Sequence, residues 1–343
     1  MAVYTAVDKS TDYFDTQLYT GNGGTTTVTG VPFEPDMSWL KNRSALGDHE
    51  IYDKVRGATY RVYPNSSAAQ DSLAQGLQAW TSDGFRVGNN SAINGNGNNL
   101  VSWNWLANGN GASNTNGSIN TIKTSASTAS GFSISTYTGT ETAATIGHGL
   151  GVAPTAIWVK KISASEQWFC WNKGLTAAGG FLKLDVTNAA ATNNTAFPWN
   201  PQATTFGIST DGATNGNGVT YYALCFAEKQ GFSKMGSYLG NASTNGAFIY
   251  CGFKPAFVLI KNTAATEAWF LYDNKRGVNG AMNALFPDEN AADGGAADNI
   301  DLLSNGFKLR TAGAILNSAA TFIFMAFAEN PFVTSTGIPT PAR

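Results

Sequence analysis

Two aspartates in the first hundred residues, Asp36 and Asp53, are of the type a glycan-cutting enzyme sets as a pair. One carboxyl would protonate the leaving oxygen, and the other would attack the sugar or activate water. Asp53 is followed by Arg56-Gly57, and the same spacing recurs at Asp273, Arg276 and Gly277. An aspartate three residues before an arginine and a glycine is the pattern of a structural ion pair or turn at a strand end. Asp53–Arg56 and Asp273–Arg276 are therefore expected to hold structure, and no catalytic residue is assigned. The chain carries only two histidines, His49 and His148, and three cysteines, Cys170, Cys225 and Cys251, none with CxxC spacing. That set does not compose a zinc site or a disulfide framework, and the cysteines, each in an apolar run, are expected in the core. His148 lies in Gly147-His148-Gly149, a turn, and both histidines are expected to be exposed or locally bonded. No serine sits in a GxSxG elbow. The acidic loop Asp288–Asp293 lacks the spacing of a calcium loop.

Two tryptophans fall near expected loops. Trp80 precedes the Ser82-Asp83-Gly84 turn, and Trp199 stands between Pro198 and Pro201. An exposed indole can stack on the apolar face of a sugar ring. Trp80 and Trp199 are therefore the candidate ligand-binding residues, with capping of a core end as the alternative.

The elements that would position these residues come from a repeat. A proline followed by an apolar strand and a lysine occurs as Pro35…Lys41, Pro154…Lys160 and Pro255…Lys261. A turn with Phe85, Phe206 or Phe307 follows each time, and then a closing strand. In the closing strands Val101, Trp103 and Trp105, Tyr222, Leu224 and Phe226, and Ile323, Met325 and Phe327 alternate with their neighbours, so each trio shares a face. The same landmarks in the same order three times imply three related folding units. The expected units are residues 1–112, 113–229 and 230–343, with 111–118 as a linker or long loop and the second and third units closely packed. The closing-strand aromatics are expected to fill three separate interiors. Short runs rich in Val, Ile, Thr and aromatics, bounded by Gly/Asn turns, point to an all-β chain of three tandem related β-sandwich modules of the jelly-roll or lectin-like kind. One short helix is expected, over 67–75.

Composition excludes several classes. Of 343 residues only 13% are charged, while 43% are hydrophobic and 12% aromatic. Aromatics at that level argue against disorder. A formal charge of −2 with no basic run argues against nucleic acid or an anionic membrane surface as partner. No apolar stretch is long enough to span a bilayer, and Met1–Asp8 does not read as a signal peptide. The cysteine usage is compatible with synthesis in a reducing cytosol.

The strings Tyr19-Thr20-Gly21-Asn22-Gly23, Phe33-Glu34-Pro35-Asp36, Trp39-Leu40-Lys41-Asn42-Arg43-Ser44, Val55-Arg56-Gly57 and Trp103-Asn104-Trp105 together resemble a module of phage proteins, marine phages especially. The ending Phe327-Ala328-Glu329-Asn330-Pro331-Phe332 resembles those proteins too. The resemblance covers nearly the whole chain. It implies a virion structural protein made in the host cytoplasm, a tail fibre or similar appendage, with a lectin-like sandwich fold. It also implies other virion proteins and a host-surface glycan or receptor as partners, and a trimeric homo-oligomer. No cofactor, metal or catalytic activity is expected. A head decoration or tail adaptor of purely structural role is the alternative, and a glycan-cleaving enzyme the third reading.

Overall fold

The structure is a computed structural model that describes residues 5–295, 297 and 299–340. The first four residues of the N-terminal segment discussed above lie outside the described range. The chain is all-β. Three antiparallel sheets carry the architecture, and their central strands follow one order.

In the first sheet that order is Phe14–Thr20, Asn99–Trp105, Met37–Asn42 and Glu50–Asp53. In the second it is Phe132–Thr138, Thr220–Phe226, Ala156–Lys161 and Trp168–Asn172. In the third it is Ser233–Leu239, Thr321–Pro331, Phe253–Asn262 and Phe270–Asp273. A small sheet lies on one face of each. These small sheets are built on Gly84–Val87, Thr205–Ile208 and Gly306–Leu309. Phe85, Phe206 and Phe307 enter the sandwich-like interiors, where Phe85 joins Leu40 and Tyr52, Phe206 joins Val159 and Tyr221, and Phe307 packs 5.5 Å from Phe324.

The opposite faces of the three sheets meet one another, which corrects the expectation of separate interiors. Trp105, Phe226 and Phe327 converge on one centre: Phe327 lies 5.6 Å from Trp105 and 6.0 Å from Phe226. Phe14 and Phe257 close the cluster at 5.2 and 5.9 Å from Phe327. A strand buried on both faces can aim its larger residues either way. Here the large aromatics fill the wide shared centre, and Tyr221, Ala223 and Cys225 fill the second unit's own sandwich.

The three units are tied in a ring by one contact made three times. Lys41 donates to the carbonyls of Asn42, Gly47 and Asn290 at 2.9, 2.9 and 3.2 Å. Lys160 donates to those of Lys161, Glu166 and Ser67 at 3.0, 2.6 and 3.1 Å. Lys261 does the same with Asn262, Ala265 and Thr187 at 2.9, 3.3 and 3.1 Å. In each triplet two carbonyls are local and the third belongs to another unit. The direction is cyclic, first to third, second to first, third to second. Ring nitrogens repeat it: His49 Nε2 meets the Phe286 carbonyl at 3.2 Å, Trp168 Nε1 that of Tyr63 at 2.8 Å, and Trp269 Nε1 that of Lys183 at 2.9 Å.

This ring explains why 67–75 is not a helix. Ser67 and Gln70 are held extended by the second unit, with Glu166 N donating to Ser67 O at 2.9 Å and Gln70 N to Ile162 O at 3.1 Å. Tertiary hydrogen bonds outweigh the weak helical preference of an Ala-containing run. Two one-turn helices, Ser91–Asn94 and Gly212–Asn215, stand elsewhere, capped by Asn90 and Asp211, whose side chains accept from Ala92 N and Ala213 N. The segment 111–118 is not a free linker. Ala112 bridges to Thr124, and Ile119, just beyond it, bridges to Ile146.

Candidate functional site

The residues with the most evident chemistry are committed to structure. Asp53 Oδ2 meets Arg56 Nε at 2.5 Å, and Asp273 Oδ2 meets Arg276 Nε at 2.6 Å, all four side chains buried. Each guanidinium also lies over an aromatic ring of the next unit, Arg56 4.5 Å from the Tyr222 centroid and Arg276 5.5 Å from that of Trp103. Asp36 is buried, pairs with Lys54 at 2.9 Å and accepts from Ala107 N at 2.7 Å.

His49 is buried and neutral. Its Nδ1 accepts from Trp39 Nε1 at 2.9 Å, which leaves the proton on Nε2, and burial drives its pKa well below the usual value. His148 is buried too, locally bonded rather than exposed: its Nδ1 accepts from Leu150 N at 3.2 Å, and burial lowers its pKa. Cys170, Cys225 and Cys251 are free and buried, with burial pushing each thiol up. Among the described residues no group of three His, Cys, Asp or Glu side chains is placed to hold a metal ion.

Neither tryptophan is the exposed platform expected of it. Trp199 is 2% exposed, donates from Nε1 to Gly180 O at 3.0 Å and stacks 5.8 Å from Phe197. Two prolines and a backbone φ of +49° fold this loop inward instead of leaving it in solvent. Trp80 lies on the strand Leu77–Thr81, not in a loop, half-buried against the first unit's sandwich core.

What sequence reasoning missed is a difference between the units. Cross-strand registers align Leu40 with Glu50, Val159 with Phe169 and Ile260 with Phe270. The next strand aligns Arg61 with Phe181, since Val62 pairs with Ile51 as Leu182 pairs with Cys170. In the second unit Phe169, Phe181 and Phe197 pack together, with centroids 4.6 to 5.4 Å apart. In the first unit the equivalent place holds a charged network. Glu50 Oε1 accepts from Arg61 at 2.7 Å and Asn90 at 3.0 Å, and Oε2 accepts from Tyr52 OH at 2.5 Å. Arg61 also grips Asp71 through Nε and Nη2 at 2.8 and 3.0 Å.

The network floors a recess of about 350 Å³, rimmed by Asp48, Ser91 and Asn98, with Tyr63 on one wall. Burial pushes the Glu50 carboxyl up, while Arg61, Tyr52 and Asn90 pull it down. Its oxygens are all engaged, so it orients Arg61 and Asn90 and is not a free base. The only legible signal was a glutamate at a position that is phenylalanine in both other copies.

Three sandwich-like units tied into a ring, with a polar recess in the first, make an all-β protein with a candidate surface site. Residues 9–331 match the family described as a domain of unknown function, DUF7483, and the chain belongs to that family. No curated protein matches the chain.

Proposed function

We propose that the chain is a phage virion appendage protein that binds a hydroxyl-rich ligand, a host-surface glycan, in the recess of its first unit, without catalysis. The carrying observation is the replacement of Phe169 and Phe181 by Glu50 and Arg61, which bond to each other and to Asn90. Burying a carboxylate costs free energy that the same fold avoids elsewhere with phenylalanine. A binding role offsets that cost. Arg61 keeps unused N–H groups beside the recess, and Asp48, Ser91 and Asn98 add donors and acceptors at its rim. The placement in a virion rests on the motif resemblance and on nothing in the recess.

The test copies the second unit into the first. The double variant Glu50→Phe/Arg61→Phe should keep the melting temperature and lose binding to host-envelope polysaccharide on a glycan array and to host cells. Ser91→Trp, which blocks the mouth from an exposed position, should lose binding as well. Binding unchanged in both variants rejects the site. Release of reducing sugar from the polysaccharide would favour the glycan-cleaving reading.

A purely structural role in the particle is the second reading. One observation favours it: among the described residues no strand pairs with the outer edge of Ser233–Leu239.

A further inference from the structure

We infer that the third unit takes up an extended polypeptide segment from another protein, paired antiparallel to the outer edge of Ser233–Leu239. The strand Phe132–Thr138 of the second sheet stands in the equivalent place, since Phe132 faces Phe226 as Ser233 faces Phe327. In the second unit that outer edge is filled by the chain itself. Lys123–Ser127 pairs with it, Lys123 opposite Thr136, Ser125 opposite Ile134 and Ser127 opposite Phe132. The loop before this strand closes the open side of the sandwich, where Ile119 N donates to Thr145 O at 3.1 Å.

The third unit lacks this filler because the chain has no length for it. Residues 106–131 connect the first sheet to the second, but only residues 227–232 connect the second to the third. Among the described residues no strand lies on the outer edge of Ser233–Leu239. The C-terminal segment is engaged elsewhere, with Ser335 N donating to Asp8 at 2.6 Å.

What remains is a groove of about 480 Å³ running along Lys234–Tyr238 on one side and Phe248–Tyr250 on the other. Phe248 and Tyr250 are 46% and 54% exposed, on the outward face of their strand. Their counterparts are Thr27 and Thr29 in the first unit and Thr145 and Gly147 in the second, as the pairings of Ile249, Val28 and Ile146 with Phe307, Phe85 and Phe206 fix. Gly236 and the buried Phe324 lie at its floor, and Lys173 and Gly174 of the second unit close one end against Gly236.

Two outward amides of the edge are already satisfied by substitutes. Ser233 N donates to Lys229 O at 2.9 Å, and Met235 N donates to the Glu228 carboxylate at 2.8 Å, where the equivalent Ile134 faces Ser125 of the added strand. An edge left unpaired beyond Met235, beside exposed aromatics, is the geometry of strand addition: main-chain bonds supply affinity, and alternate side chains enter the cleft. A donor with small polar residues facing out and an apolar residue facing Phe248 and Tyr250 fits this slot.

The experiment uses the full chain and a synthetic peptide copying residues 119–128, the filler of the second unit. At about 1 mM peptide, amide exchange over 233–239 should slow by about tenfold or more. Phe248→Asp/Tyr250→Asp, both exposed and outside the core, should abolish this protection with unchanged melting. No protection over 233–239, or protection indifferent to the double variant, overturns the inference. So does an oligosaccharide, with no peptide effect, protecting this groove. None of these outcomes bears on the recess variants of the first unit, which test the glycan reading separately.

Discussion

The ammonium of Lys41 donates to the carbonyl of Asn290 across 3.2 Å, although the two residues stand 249 positions apart in the chain. That contact closes the ring, because it joins the first unit to the last. Burial draws Lys41, Lys160 and Lys261 down to about 8, still above neutral, so each keeps three N–H donors for its three carbonyls. Lys41→Met and Lys160→Met should each cost about 2–4 kcal/mol in urea unfolding, since the carbonyls lose a charged donor inside the protein. A variant as stable as the parent would show that the ring does not depend on these bonds.

Arg276 bridges two carboxylates, Asp273 at 2.6 Å and Asp293 at 2.9 Å, and Asp293 in turn holds Arg43 of the first unit at 2.7 Å. Arg276→Met should cost about 3–5 kcal/mol, because it strands buried negative charge. Adding Asp273→Asn should recover part of the loss in the same unfolding assay. Equal stability of the single and double variants would assign the cost to lost packing on Trp103.

Asp288 offers a pH test with a definite sign. Burial raises its carboxyl to about 6, and its Oδ1 accepts from Trp269 N at 3.0 Å. The folded state therefore holds the proton more tightly than the unfolded chain. The stability from this group is full below about pH 4 and is lost as pH rises through 6. The first unit solves the same position with Asn65, which accepts from His49 N at 2.9 Å. Asp288→Asn should gain about 1–2 kcal/mol over the parent at pH 7, with little difference at pH 4.5. Buried His49 and His148 shift the opposite way, so the comparison is between variant and parent at each pH. A gain equal at both pH values would contradict the assignment.

Trp199→Ala should behave as a core deletion. Its indole is enclosed, stacked on Phe197 and bonded to Gly180 O, so the loss should be about 3–5 kcal/mol. Loss of ligand binding with an unchanged melting temperature would restore Trp199 as a platform.

Much of this was legible in the residues. The alternation in Leu100–Trp105 and its two counterparts determined strands, because period-2 spacing puts Val101, Trp103 and Trp105 on one face whatever surrounds them. The Asp-x-x-Arg pairs were equally local, since three residues at a strand end bring the groups within reach. The repeated lysine was visible as a landmark, but its role was not. A lysine at a strand end reads as solvated, and only a carbonyl from another unit makes its burial affordable.

The sequence by itself thus determined the strands, their phase and the local ion pairs, all of them consequences of short-range geometry. Tertiary structure decided the rest. It turned the aromatic faces of three sheets onto one centre, and it folded Trp199 inward. It also left the edge beside Phe248 and Tyr250 open where a shorter connection could not cover it. Those outcomes depend on which surfaces meet across hundreds of residues, and no local pattern encodes that.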